Sequence, residues 1–566
     1  MASCRTVRLP GNAESPTAIK HGVKGALIAQ TYDEPATDPW MARPKDVTGT
    51  GVVHCGPWVR GPYESIQVNV DHRGCNIVGD AANEPSIAID PTDPRRIVIG
   101  WRQFDTIESD FRQAGWAYSH DAGHTWAFPG VLQPGVFGSD PVLDADGDGN
   151  LYYYTLTRLG GGDFFKSTDG GVSWIETASD FGGDKPWMAT DRTKGIGRGN
   201  IYFNAGSSEF YRSTDGGACF DPFYIPTPSF PTMSVGPDGT LYTAGLGRLF
   251  TKSINAQDPD QVPVFDPPLL LDLGGDIQVA WPPNPGGLLG QIWVATDHSD
   301  GPTRGNVYFL GSVDQSIEDQ LDVSFARSTD GGVTWSEKVR VNDDPEGNGA
   351  WQWFGMMSVA PNGRIDAVWN DTRNYLDAPH DSLCELYYSY STDAGVTWSE
   401  NIPVSPVFDS RIGWPHAQWK LGDYYHMLSD NLGVNVAYAA TFNGEQDIYF
   451  LRIGPWDCNS NEIPDEDDIA CGGGNTCGGI PGSYDCNENG VPDECEYRGD
   501  FDGDGVTTLR DLAAFQRCFT GALGATGGLP ASALAQDPCC RLFDLDVDDN
   551  IDLADLMIFQ RSFNGP

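Results

Sequence analysis

From about residue 65 to residue 453 the chain consists of short runs in which apolar and aromatic residues alternate with polar ones or follow one another unbroken. YESIQV, LYYYTLT, LYYSYS and DIYFLRI are examples, and Gly, Pro, Asn and Asp separate them. Period two over a handful of residues predicts strands, and the close spacing predicts hairpins. Seven runs open a recurring phase: NEPSIAI (from Asn83), SDPVLDA (Ser139), DKPWMAT (Asp184), SFPTMSV (Ser229), GQIWVAT (Gly290), WFGMMSV (Trp353) and GDYYHML (Gly422). Turns such as GPDG and APNG follow them. The pattern predicts seven small antiparallel sheets. No apolar run approaches the ~20 residues of a membrane-spanning helix.

A second periodicity lies on the first. Ser-x-Asp-x-Gly-x-x-Trp occurs at Ser119–Trp126, Ser167–Trp174, Ser328–Trp335 and Ser391–Trp398, and with Phe for Trp at Ser213–Phe220. Each copy follows an aromatic-rich strand. Ser and Asp can accept N–H bonds inside a turn, Gly supplies positive φ, and the aromatic can fill the gap to the next sheet. Five copies predict a repeat architecture. The segment before the sixth phase, SEKVRVNDDPEGNGAW, matches YESIQVNVDHRGCNIVGDAANEP before the first. Ser65–Val70 should therefore supply the outer strand of the seventh sheet, which removes free edges and locks a ring.

The hairpin motif is the Asp-box, and residues 65–453 resemble the sialidase-like (BNR repeat) propellers. The resemblance implies a mainly β, seven-bladed β-propeller, although sialidases usually have six blades. Asp-boxes lie away from the active site in that family, so they speak for fold and not for activity.

After Ile453 the pattern changes. Asp500, Asp502, Asp504, Thr508 and Asp511 fall at positions 1, 3, 5, 9 and 12 of an oxygen-ligand loop, with Val506 offering its carbonyl at position 7 and Gly505 at the turn. Asp544, Asp546, Asp548, Asn550, Asp552 and Asp555 form a second copy, with Asp549 in place of the turn Gly. A helical pattern follows each. Calcium takes six to eight oxygens at this spacing. The pair resembles a type I dockerin, which implies a cohesin-like scaffold partner; the alternative is a metal-stapled tail without one. Upstream, Asp457, Asn459, Asn461 and Asp465, then Asp485, Asn487, Asn489, Asp493 and Glu496, resemble the calcium repeats of thrombospondin type 3. The domain reading is an N-terminal extension (1–64), the propeller (65–454), a Cys/Asp-rich calcium-binding spacer (455–498) and a small α-helical dockerin-like module (499–566). A shorter acidic run, Asp144 to Asn150, reads as a lengthened hairpin turn or as a further calcium loop lacking a carboxylate at position 12.

Net charge is −44, which excludes a phosphate-binding nucleic-acid protein and an anionic membrane surface as partners. Eight of the 13 Cys fall between Cys458 and Cys540, which predicts disulfides and an extracellular or cell-surface setting, with one thiol left over. Cys518 should pair with Cys539 or Cys540. The start MASCRTVRLPGNAESP lacks the apolar core of a signal peptide. A leader removed from the chain is expected.

In a propeller, loops joining strands two to three and four to one share one face, over the central channel. Arg102 and Arg373 each end a second strand there, and converging Arg side chains would clamp a carboxylate such as that of sialic acid. The alternative is a salt bridge between blades. The resemblance implies a Tyr nucleophile activated by Glu, with an Asp as acid/base. Tyr424 or Tyr425, Glu84 or Glu385, and Asp371 or Asp105 fit those roles. Trp351, Trp353, Trp414, His416 and Tyr425 can stack on or bind sugar. The family's Arg-Ile-Pro motif is absent. The resulting expectation is a secreted sialidase-like glycoside hydrolase acting on glycans and docked by its Ca²⁺ tail. The alternative is a non-catalytic propeller that binds glycans or proteins.

Overall fold

The computed structural model describes residues 36–40 and 51–562, apart from 159, 207–208, 315–319, 460, 474, 478–479, 497–498, 502–506, 520–537 and 547–549. Seven antiparallel sheets form a seven-bladed β-propeller, and a few short helices follow it. Blade 1 is built of Ala81–Ile89, Ile97–Phe104, Gln113–Ser119 and Ala127–Val131. The first strands of blades 2 to 7 are Ser139–Ala145, Trp187–Thr190, Thr232–Val235, Trp293–Thr296, Gln352–Val359 and His426–Ser429. These first strands pack in sequence, and that of blade 7 packs on that of blade 1, so the sheets close into a ring. Burial falls outward: Ile97–Phe104 is buried throughout, whereas Ala127–Val131 at the rim is half-buried or exposed.

Closure is by strand addition from the other end of the chain. Tyr63–Gln67 pairs with Asp447–Ile453, with Ser65 opposite Leu451 and Gln67 opposite Tyr449. Trp58–Arg60 adds a further strand, so the ring begins inside the segment that the sequence assigns to an N-terminal extension.

The five hairpin motifs share one bonding pattern. In the last, Ser391 Oγ donates to Asp393 at 2.8 Å and accepts from the Gly395 N–H at 2.8 Å, while Asp393 accepts from the Thr397 N–H at 2.9 Å. In three copies the motif aromatic packs on the preceding blade: Phe220 lies 4.8 Å from Phe164, Trp335 5.0 Å from Phe250 and Trp398 5.3 Å from Phe325. Gly395 has φ 76°, and a Cβ there would lie 2.1 Å from the Phe325 ring. Only Gly satisfies both the turn and the fit between blades. In blade 4, Ser253 and Asn255 keep the first of these bonds at 3.1 Å.

The chain has two compact units: the described residues up to Thr92 with Val98–Ala117 and Phe128–Ile453, and Asp93–Ile97 with Tyr118–Ala127 and the described residues from Gly454 onward. The tail of the second unit holds α1 (Asp465–Cys471), α2 (Leu509–Cys518) and α3 (Leu553–Ser562). Thr508 caps α2, with Asp511 returning a bond to the Thr508 N–H. A small apolar cluster of Phe515, Phe543, Ile551 and Phe559 joins α2 to α3. Disulfides Cys458–Cys495, Cys486–Cys539 and Cys518–Cys540 staple consecutive segments of the tail, and Cys55–Cys75 lies in the ring unit. Cys384 is a free, buried thiol. Among the described residues no helix is long and apolar enough to cross a membrane.

Candidate functional site

Each first strand carries a left-handed residue in its opening residues or shortly before them. These are Glu84 (φ 54°), Asp140 (46°), Lys185 (49°), Phe230 (50°), Gly290 (141°), Phe354 (57°) and Gly422 (102°). Four of them precede a Pro, which already bars the right-handed helical region. Each non-Gly instance costs about 1–3 kcal/mol and persists only where surrounding contacts hold it. At Glu84, Asp140 and Lys185 the holding contacts are electrostatic.

Lys185 Nζ lies 2.7 Å from Asp423, 3.2 Å from Asp140 and 3.8 Å from Asp184. Lys420 Nζ lies 2.6 Å from Asp423 and 3.0 Å from Glu84. Arg102 donates to Glu84 at 2.7 Å and to the Gln418 side chain at 2.6 Å. All these charged side chains are buried. The network ties blades 1, 2 and 3 to the segment entering blade 7. Burial pushes the Glu84 carboxyl up to about 7, against the pull of Arg102 and Lys420. Burial also raises Asp423, but Lys185 and Lys420 outweigh it and hold that carboxyl well below its usual range. Removing one member of such a network strands a buried charge, which costs about 3–5 kcal/mol.

Aromatic rings fill the space between the first strands of blades 3, 5 and 7. Trp187 lies 5.2 Å from Trp293 and 5.1 Å from His426, and Trp293 lies 5.7 Å from His426. His426 Nδ1 accepts the Ile87 N–H at 3.3 Å, which places its proton on Nε2. Burial pushes this imidazole down to about 3, so it is neutral at pH 7.

The other candidates sit in separate places. Arg373 binds Asp371 (2.9 Å), Asp343 (2.6 Å) and Asn401 (3.1 Å) and lies over the Tyr387 ring. Its partners are not those of Arg102 just described, so the two arginines serve two clusters. Glu385 meets Arg60 at 3.0 Å and Asn374 at 3.0 Å. The hydroxyls of Tyr424 and Tyr425 donate to the carbonyls of Pro141 and Ala439, and both rings are buried. Trp353 is fully buried, Trp351 donates to Asp381 and Trp414 to the Ser410 carbonyl. His416 Nδ1 meets Asp38 at 2.8 Å, and Asp38 and Thr37 also bind Asp110. In the Asp144–Asn150 hairpin, Asp146 accepts from Asn150 and Tyr152, Asp144 pairs with Arg192 and Asp148 with Arg198. That bonding matches the turn reading.

The spacer loops repeat each other bond for bond. Asp457 accepts from the backbone of Asn461 and Glu462, and Asp485 from Asn489 and Gly490. Asp465 takes the Cys458 N–H, and Asp493 the Cys486 N–H. At position 12, Asp468 accepts both Asn459 and Asn461 amides, and Glu496 both Asn487 and Asn489 amides. Asp465 Oδ2, Asp468 Oδ1 and Glu496 Oε2 are buried without a hydrogen-bond donor among the described residues. Burial pushes Asp465 up to about 6 and Glu496 up to about 8. Inward-facing carboxylates lacking a counter-charge are what a divalent cation would relieve, and all-oxygen donors suit calcium. In the last loop, carboxylate oxygens of Asp544, Asp546 and Asp555 lie within 4.8 Å of one another. Asp511 and Asp555 accept the position-2 N–H of Phe501 and Leu545 and the position-9 N–H of Thr508 and Asp552. Asp500 is buried, and Asn550 lies at the entry to α3. Asp502, Asp504, Val506 and Asp548 lie outside the described residues.

No protein-family model matches the chain, and no curated protein matches it. Among solved structures it is similar to a fungal alcohol oxidase of the AA5 family in complex with copper, at 10% identity and TM-score 0.45, over 73% of this chain and 79% of that one. It is similar to YCF48 bound to a D1 peptide, at 11% identity and TM-score 0.41, over 73% of this chain and all of that one. It is also similar to the endosialidase of phage phi92, at 10% identity and TM-score 0.39, over 70% and 69%. The ring is read from this chain's own strand pairing, and none of those proteins' chemistry carries over.

Sequence reasoning missed Lys420 and Asp423, whose partners come from three other blades. It also missed Asp468, although the 1-to-12 spacing that marks Glu496 marks Asp468 in the sibling loop.

Proposed function

We propose that this protein is an extracellular glycan-binding propeller whose tail is stapled by disulfides and calcium. One observation carries the binding reading: the cations and carboxylates expected to perform hydrolysis are committed to each other. Arg102 and Glu84 are fully buried in one network, and Arg373 is bound by Asp371 and Asp343 in another. A carboxylate clamp needs guanidinium donors left for the ligand. The disulfides Cys55–Cys75, Cys458–Cys495, Cys486–Cys539 and Cys518–Cys540 fit an oxidising setting.

Asp457, Asn459, Asn461, Asp465 and Asp468 would hold one calcium ion, and Asp485, Asn487, Asn489, Asp493 and Glu496 another. Asp500, Asp511, Asp544, Asp546, Asp552 and Asp555 would contribute to two more. When bound, the ion supplies the counter-charge that lets these carboxylates stay buried and ionised. The helical module would then serve docking to a cohesin-like scaffold, a role supported by its loop-helix duplication.

A sialidase-like hydrolase is the second reading. It is favoured by the Glu84 carboxyl at about 7, within the range of a general acid, in a network close enough to Tyr424 to raise its hydroxyl further. A glycan array and a fluorogenic glycoside panel, both with calcium, separate the two. Binding without sugar release supports the lectin reading. Release that Glu84→Gln abolishes supports the hydrolase.

A further inference from the structure

Two large aromatic side chains lie exposed on loops over the channel face. Trp281 is 45% exposed and Trp419 65% exposed. Trp281 lies in the connection from blade 4 to blade 5, and Trp419 in the connection from blade 6 to blade 7. Both are strand-four-to-one loops, so topology puts them on the face where the left-handed residues gather. The backbones of the two loops meet, with the Gly286 N–H donating to the Trp419 carbonyl at 2.8 Å. A Cβ at Gly286 would lie 2.8 Å from that oxygen.

The meeting is held from below. Asn284 is fully buried; its amide donates to the carbonyls of Leu288 (2.6 Å) and Gly422 (2.8 Å), and its oxygen accepts the Leu421 N–H (2.8 Å). Asp423 accepts the Leu288 N–H at 2.7 Å, and Ser410 donates to the Pro283 carbonyl at 3.1 Å. Asp423 is the residue that Lys185 and Lys420 grip, so the loop carrying Trp281 is fastened to the buried charge network. Two exposed tryptophans on rigidly pinned backbone lose little conformational freedom on binding. Ile412, in the same blade 6 to blade 7 connection as Trp419, is also exposed, and apolar side chains gathered on one face mark a binding surface where scattered ones do not.

Resting on the glycan reading, we propose that Trp281 and Trp419 form a stacking platform for neutral hexopyranose rings, with Asn284 as its positioning residue. Trp offers a flat apolar face to the C–H face of a sugar ring, with a polar N–H at its edge. Charge selects a neutral sugar over an acidic one. Arg102 and Arg373 are neutralised by Glu84 and by Asp371 and Asp343, and the protein carries −44 overall, which repels anionic ligands.

The test is tryptophan fluorescence and calorimetry on the full chain in calcium, titrated with cellohexaose, mannohexaose and 3′-sialyllactose. The expected result is binding of a neutral oligosaccharide, with Trp281→Ala and Trp419→Ala each weakening it about tenfold. Trp419→Phe should keep most of the affinity. Far-UV spectra and melting points of the variants should match the parent, because both side chains are exposed. Unchanged neutral-sugar affinity in both Ala variants overturns the platform while leaving the glycan reading intact. Binding of 3′-sialyllactose alone overturns the ligand class. Binding of none of the three, together with an empty glycan array, overturns the glycan reading and the platform with it.

Discussion

Blade residues such as Tyr153, Phe203, Trp369 and Tyr438 are fully buried among other rings and strands, whereas the tail from Gly454 buries Asp465, Asp468, Asp493, Glu496, Asp511 and Asp555. The ring repeats one sheet seven times, and the first strand of each sheet packs on that of the next. The tail has about 110 residues, several outside regular structure, and its apolar cluster is a handful of side chains around Phe515. A unit so small cannot exclude enough water by apolar burial alone, so covalent staples take that role, joined in the proposed reading by calcium in the acidic loops. The ring also buries charge around Lys185, but there protein cations neutralise the carboxylates. In the spacer loops no Lys or Arg stands among the segments 457–468 and 485–496. Under the proposed reading, the acidic tail takes from outside the counter-charge that the ring supplies from within.

Four substitutions or titrations sharpen this contrast. The largest effect is expected for Lys185→Ala, which leaves Asp423 and Asp140 facing each other without their shared cation. It should destabilise the ring by about 3–5 kcal/mol in chemical denaturation, with calcium affinity of the tail unchanged. Gly395→Ala comes next, because its Cβ meets the Phe325 ring and the backbone is left-handed. A loss of about 2–3 kcal/mol is expected in the same assay, again with unaltered calcium binding. The third concerns His426. Its folded value is depressed to about 3, below the unfolded value near 6.5, so the unfolded chain takes up the proton first. Ring stability should therefore be full above pH 6.5 and fall by up to about 1.4 kcal/mol per unit as pH drops toward 3. A His426→Gln variant should lose that component of the slope, measured as denaturation midpoint against pH. The smallest effect is Ser391→Ala, which removes one turn hydroxyl for about 1 kcal/mol, read as a lower ring melting temperature.

The blades were legible because period-two runs and turn residues recur with the hairpin motif, and each motif carries its own bonding partners within eight residues. Trp58–Arg60 was not legible: it is short, largely exposed and lacks alternation. The acidic loops proposed to hold calcium were marked by local spacing. The Lys185–Asp423–Lys420–Glu84–Arg102 network was not, because its three parts, around Glu84, Lys185 and Asp423, are far apart in the chain and meet only when the ring closes. Arg102 and Arg373 were located on second-strand ends, but sequence could not show that each faces its own carboxylates. Trp281 and Trp419 sit in long connections without period, so nothing local marks them.

Hydrogen exchange read by mass spectrometry, with and without EDTA and with disulfides intact, tests the division most directly. Chelation should speed exchange in residues 454–562 and leave the first strands of all seven blades, from Ala81–Ile89 to His426–Ser429, as protected as before. Equal protection of the tail in EDTA, or loss of protection in those first strands, would contradict it.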